Sequence, residues 1–219
     1  MGLLDVFNKE KNKEEKEINA PGWDAITNEC LKIYPNQINP KHYAALIKWK
    51  FGGPDPLDGI SIYETDEYYH FVTYGLSELY DKESSNKDIS GYGMEFTFKL
   101  KKDNYEHPEV EIKNVCGLLQ QIARYTFNNG EIFKPNEYLY TGQTEGIDAK
   151  YQSNITGFIT ILDNDLKEID TPNGKVTFVE FIGATNNELI ALKDKKIKVL
   201  ELYEKIGSDI TNYHRDSVI

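Results

Sequence analysis

The octet Gly52-Gly53-Pro54-Asp55-Pro56-Leu57-Asp58-Gly59 restricts the fold more than any other segment. Its two prolines fix φ and remove two backbone donors, its three glycines permit positive φ, and its two aspartates can hydrogen-bond their own backbone. Such a segment is a rigid turn. It reads either as a tight strand connection with no ligand or as a loop that holds acidic groups at the mouth of a cleft.

The runs around it are KHYAALIKWKF, ISIYET, EYYHFVTYGLSELY and, after a polar break, SGYGMEFTFKL. Runs rich in Ile, Val, Tyr, Phe and Trp, bounded by Gly, Pro and Asp, have the make-up of strands in a buried sheet. Residues 41–100 therefore hold the sheet. The polar stretch 81–90 is expected as a mobile loop, and Gly91 and Gly93 around Tyr92 mark either a bulge or a close backbone approach to a ligand.

Helical spacing relates Trp23, Ile26, Cys30, Ile33 and Tyr34, and Pro35 ends that run. Pro108 opens a second helix with Val115, Leu118, Leu119, Ile122 and Ala123 on one face and Asn128-Asn129-Gly130 as a left-handed cap. The apolar run 155–162 suits a central strand, Asp170-Thr171-Pro172-Asn173-Gly174 a hairpin turn, and 176–182 the returning strand. Thr185-Asn186-Asn187-Glu188 is a capping box. A charged helix over 194–206, with Ile197, Leu200 and Leu202 turned inward, and a short strand near 210–213 complete the chain. The expectation is an α/β (α+β) fold, one domain over 21–219 with a central mixed β-sheet covered by helices. A charged leader, 1–20, precedes it; within that leader, 9–17 alternate Lys, Asn and Glu without an apolar stripe.

A formal charge of −11 argues against nucleic acid, because phosphate binding relies on clustered Lys and Arg. It favours basic partners, chiefly through encounter rate. Cys30 and Cys116 belong to no CxxC pair and read as buried thiols in a reducing cytoplasm. The apolar patch at the N-terminus is too short for a signal-peptide core, and no run reaches the length of a membrane span, so no membrane partner is expected.

Catalytic patterns are sparse. His42, His70, His107 and His214 form no HxH or HxxxH pair, and Gly75-Leu76-Ser77-Glu78-Leu79 lacks the closing glycine of a nucleophile elbow. No cofactor or metal is expected. A hydrolase or transferase site around His70, Asp58 and Glu78 is the alternative, and it requires a shared cleft and a strongly shifted pKa. The favoured reading is a partner-binding surface of Asp55, Asp58, Tyr63, His70, Tyr74, Glu78, Asp81 and Glu95. Tyrosines beside fixed carboxylates give large contact area and a polar tip. Against it stands the simpler reading in which the alternate aromatics face the core.

The segments GGPDPLDGISIY, HFVTYGLSELY and SGYGMEFTFKLK closely resemble the N-terminal domain of Suppressor of fused proteins. The likeness continues through IARYTF, TPNGKVTFVEFIGAT and ITNYHRD, from Gly22 to the C-terminus. This resemblance implies a non-enzymatic module that sequesters a protein or peptide. In animal members, which hold Gli transcription factors inactive, the ligand peptide adds as an extended strand in a cleft between two domains. The chain ends where the N-terminal domain ends, which implies a different partner surface. Short stand-alone relatives resemble immunity proteins of bacterial toxin systems, and an acidic inhibitor suits a basic toxin domain. A structural homo-oligomer is a third possibility, and the oligomeric state stays open.

Overall fold

The computed structural model describes residues 19–47, 49 and 52–219, so 1–18 of the expected leader lie outside the described residues. Alternate side chains of a strand point to opposite faces of a sheet. Along β2 (Gly59–Glu64), β3 (Tyr68–Tyr74) and β4 (Ile89–Lys101), Ile60, Ile62, Phe71, Phe96 and Phe98 enter one core cluster, whereas Tyr63, Val72 and Tyr74 enter another. Both faces of the sheet are therefore covered.

The other strands are β1 (Lys41–Ala44), β5 (Tyr138–Leu139), β6 (Ile155–Leu162), β7 (Glu168–Thr171), β8 (Gly174–Thr185) and β9 (Ile210–Thr211). Their order is β1-β2-β3-β4-β8-β6-β5, with β7 on β8 and β9 on β4. β4 runs parallel to β8 and β9, and the remaining pairs are antiparallel. The sheet is thus mixed, as expected.

Helix α1 (Pro21–Ile33) packs Ile26 and Cys30 against Tyr63, Val72 and Tyr74. On the opposite face, α2 (Pro108–Asn129) buries Ile112, Val115, Leu119, Ile122 and Ala123 over β2, β3, β4 and β8. Proline in the first turn and Gly130 at φ 72° bound α2 where the sequence placed its ends. Helices α3 (Asn186–Lys193) and α4 (Val199–Ile206) cover β6 and β8 with Leu189, Leu192, Val199 and Leu202. Thr185 and Glu188 form the expected capping box of α3. Among the described residues no helix is long and apolar enough to cross a membrane.

Several expectations change. Among the described residues of the run 41–51, the strand covers Lys41–Ala44, and Leu46 and Ile47 are exposed. The helix placed over 194–206 begins at Val199; Val199 and Leu202 share its inner face three residues apart, which turns Leu200 to solvent. Gly91 (φ 56°) and Gly93 (φ 76°) mark a bulge, because the β4–β8 register shifts between Ile89 and Met94. Cys30 and Cys116 are free and buried, and burial pushes both thiols up to about 12.

Candidate functional site

Turn 52–59 is clamped onto α2 by side chains the octet itself does not contain. Gln120 brackets Leu57, accepting from its N–H and donating to its carbonyl, both at 3.1 Å. Arg124 donates to the Pro54 carbonyl at 2.9 Å and pairs with Asp55. From the other side comes Gly75, at φ 136°, where an added Cβ would stand 2.8 Å from the Asp58 nitrogen. Only glycine lets the two backbones approach so closely.

This packing places Asp58, Glu78 and Asp81 around one open cavity of about 300 Å³, together with Trp49, Tyr80, Tyr92 and Phe127. Asp58 accepts a hydrogen bond from the Tyr80 hydroxyl at 2.9 Å. Segment 81–90, expected to be mobile, is tied to Glu78 instead: Lys82 Nζ donates at 2.6 Å, the amides of Glu83 and Ser84 at 2.7 and 2.5 Å, and the Gly91 amide at 3.1 Å. Burial opposes ionisation of Glu78, but these four donors outweigh it and hold the carboxyl at about 2, below its ordinary 4.5. A depressed carboxyl stabilises the fold above its unfolded pKa and loses that contribution as pH falls toward the folded value. Glu78→Gln is accordingly expected to cost on the order of 1 kcal/mol at neutral pH, given solvent screening, with the deficit vanishing between pH 4.5 and about 2. Urea melts of both proteins across that range check it.

Tyr63, His70, Tyr74 and Glu95 are fully buried, which removes them from any outward face. The cause is strand parity: on β2 and β3 the three ring-bearing residues point toward α1. Tyr63 stacks on Tyr34 at 4.7 Å and Tyr74 on Trp23 at 4.3 Å. His70 meets the Tyr34 hydroxyl at Nδ1, 2.8 Å away, and Asp163 at Nε2, 3.4 Å away. It shares no cavity with Asp58 and Glu78, so the trio of the enzymatic alternative is not assembled.

Glu95 organises the turn after β3. Its Oε1 accepts from the amides of Gly75, Leu76 and Ser77 at 2.9, 3.1 and 2.9 Å and from the Ser77 hydroxyl at 2.6 Å. Its Oε2 accepts from the Thr73 hydroxyl at 2.6 Å. The GLSEL motif is thus a nest for a buried carboxylate. On the same face of β4, Lys99 is only 2% exposed and its Nζ lies 2.8 Å from Asp165, 2.7 Å from Asp209 and 3.5 Å from Glu180. Burial raises the Glu180 carboxyl well above its ordinary value, with Asp163 nearby adding to the effect.

A second recess went unnoticed in the sequence. Strand β5 is the last in the sheet order, and β6 pairs only one of its sides. Asn136, at φ 71°, gives its N–H to Thr160 O, and Thr160 gives its N–H to Glu137 O at 2.9 Å, a bulge that leads into β5. Because backbone groups alternate sides along a strand, Tyr138 turns its N–H and C=O outward, away from β6. Beside it lies an open groove of about 880 Å³ lined by Tyr125, Phe133, Tyr138, Leu139, Val199 and Leu200. Tyr125 and Leu200 are about half exposed, at 51% and 53%. Their signal in the sequence was faint: each is a large apolar residue lying off the buried stripe of its helix.

Fold and recesses together define a mixed-sheet α+β domain whose surface offers an acidic, aromatic cavity and an apolar groove along an open strand edge. A family model described as Suppressor of fused protein (SUFU) matches residues 53–216, and the chain belongs to that family. It is 32% identical over 181 residues to the human Suppressor of fused homolog and equally to the mouse one, matching 77% of this chain and 36% of either relative. The chain thus spans little more than a third of their length. Among solved structures, the Sufu-Fu complex aligns with TM-score 0.79 and 29% identity, covering 91% of this chain and 93% of that one. Drosophila Suppressor of Fused aligns with TM-score 0.78 and 29% identity over 91% of this chain and 52% of its own. A SUFU homolog from Neisseria gonorrhoeae shares the fold, with TM-score 0.59 and 17% identity over 90% of this chain and 97% of its own.

Proposed function

We propose that this chain is a non-enzymatic module that sequesters a protein partner by accepting an extended segment of it along the outer edge of β5. The observation that carries this reading is the outward main chain of Tyr138 beside an apolar groove, the two parts that strand addition needs: hydrogen bonds for affinity and side-chain recesses for specificity. A relative of similar fold was solved in complex with Fu, which supports a binding role. The net charge of −11, with Glu131, Glu137 and Glu201 against a single Lys198 among the groove's lining residues, suits a basic partner. In the finer reading the partner is a basic bacterial toxin domain, neutralised in the cytoplasm as by an immunity protein, and its affinity falls sharply with salt.

The test uses a toxin domain encoded beside this gene, with growth rescue and calorimetry as readouts. Tyr138→Pro deletes the outward N–H while leaving the β6-facing groups of Glu137 and Leu139 in place; it is expected to weaken binding about tenfold, the worth of one main-chain hydrogen bond with its partner left unmet. Leu200→Asp is expected to do the same through the groove, and Tyr138→Val to retain most of the affinity. Unchanged binding in both Tyr138→Pro and Leu200→Asp, with circular dichroism intact, overturns the proposal. Affinity that is equal at low and high salt removes the electrostatic part alone.

A further inference from the structure

A third recess lies at the start of α2 and shares no lining residue with the groove beside β5 or the cavity beside turn 52–59. It encloses about 310 Å³ between residues 104–107, the first turn of α2, the loop 148–153 and the segment that follows β9. Glu111, only 7% exposed, faces it. Its two oxygens share a single N–H, that of Ala149, at 3.3 and 3.2 Å. Charge-assisted hydrogen bonds run at about 2.7–2.9 Å, and a carboxylate has room for about four. Glu95, also buried, takes five. Most of the acceptor capacity of Glu111 is therefore unused. Tyr213, 2% exposed, lines the same recess, and its hydroxyl makes no hydrogen bond among the described residues. The nearby amide of Asn114 donates to the Ile147 carbonyl at 2.7 Å. Buried polar groups are rarely left unmet, because each costs free energy, so two of them on one recess call for an occupant.

The charges set the sign of that occupant. Asp148, 8% exposed, is a second buried carboxylate on the recess. Burial, with Asp148 adding to it, raises the Glu111 carboxyl above its ordinary value against the Ala149 amide and Lys150. The basic side chains of the lining sit at the mouth. Lys150 is 67% exposed and 3.9 Å from Glu106, His214 is 69% exposed and 3.1 Å from Asp103, and His107 is exposed as well. A guest that brings N–H donors and a positive charge meets both the empty acceptors and the buried negative charge. We propose that this recess binds a small organic cation with N–H donors, a protonated amine or guanidine, held by the Glu111 carboxylate and the Tyr213 hydroxyl oxygen. The purely structural alternative, in which Glu111 serves to hold the loop at Ala149 and Tyr213 to fill the core, predicts no ligand.

The whole chain is titrated with methylguanidinium, n-propylammonium and the neutral isostere N-methylurea. The readout is the chemical shift of the Ala149 and Ser153 amides and of the Glu111 carboxyl carbon. At least one charged probe is expected to give saturable shifts at all three positions, with methylurea at least about 5-fold weaker. The two charged arms distinguish a planar guanidinium from an ammonium. Glu111→Gln is expected to weaken the charged probe by about 10-fold or more, and Tyr213→Phe by about 3- to 10-fold. Because the Tyr213 hydroxyl pairs with nothing in the protein, Tyr213→Phe is expected to weaken the probe without lowering the melting temperature. Equal binding of methylurea, unchanged binding in either variant, or no shift at Glu111 up to the solubility limit of the charged probes overturns the proposal. Such a failure leaves the Tyr138→Pro experiment untouched.

Discussion

Lys99→Met is expected to lower the free energy of unfolding by about 3 to 5 kcal/mol, the range for removing one partner from a buried ionic cluster. Methionine fills the space of the lysine stem, so the loss measures charge and not packing. The ammonium is 2% exposed and sits against Asp165, Asp209 and Glu180. With Lys99 gone, Asp209 loses the partner that holds its carboxyl below the ordinary range against the opposing effect of burial. Asp163, whose carboxyl is also held low against burial, loses a nearby positive charge, though its hydrogen bonds from Thr97 and Leu166 remain. The pH dependence follows in sign: depressed carboxyls stabilise above their unfolded pKa, so the variant's deficit is largest at neutral pH and shrinks in acid. Guanidinium melts at pH 7 and pH 4 check both statements. A deficit under about 1 kcal/mol at pH 7 contradicts the description of this cluster as charge-paired.

Glu95→Ala is the second large effect, expected at about 3 to 5 kcal/mol, because the amides of Gly75, Leu76 and Ser77 and two hydroxyls lose their acceptor inside the protein. Glu95→Gln keeps the shape but turns an amide donor toward one set of donors, and is expected to recover only part of the loss. The damage has a location. Hydrogen exchange at residues 75–77 is expected to speed up before global unfolding, and the wall of the cavity at Asp58 to loosen with it, since Gly75 packs on the Asp58 backbone. A mild, delocalised loss contradicts the view that this carboxylate holds the turn.

Where the sequence contains a local device, the fold was legible. Proline and glycine at the two ends of α2, the capping box of α3, and the two-residue loop of the β7–β8 hairpin, closed by the Thr171–Gly174 pair, each act within a few residues of themselves. The partner surface was legible only where it is built from turns: Asp58, Glu78 and Asp81 share a cavity. Tyr63, His70, Tyr74 and Glu95 were misplaced because every residue of β2 up to Tyr63, and nearly all of β3, is buried. With both faces covered, alternation no longer says which side is outside. The groove was invisible for another reason. It joins the end of α2, the two-residue β5 and the start of α4, so residues more than sixty positions apart meet only after the sheet order is known.

Hydrogen exchange by mass spectrometry on the complex with the partner domain tests the strand-edge account most directly. The account predicts slowed exchange at Tyr138 and across α4 on binding, with little change along β1 at the far side of the sheet. Protection confined to β1 and α1, with β5 exchanging as in the free protein, contradicts it.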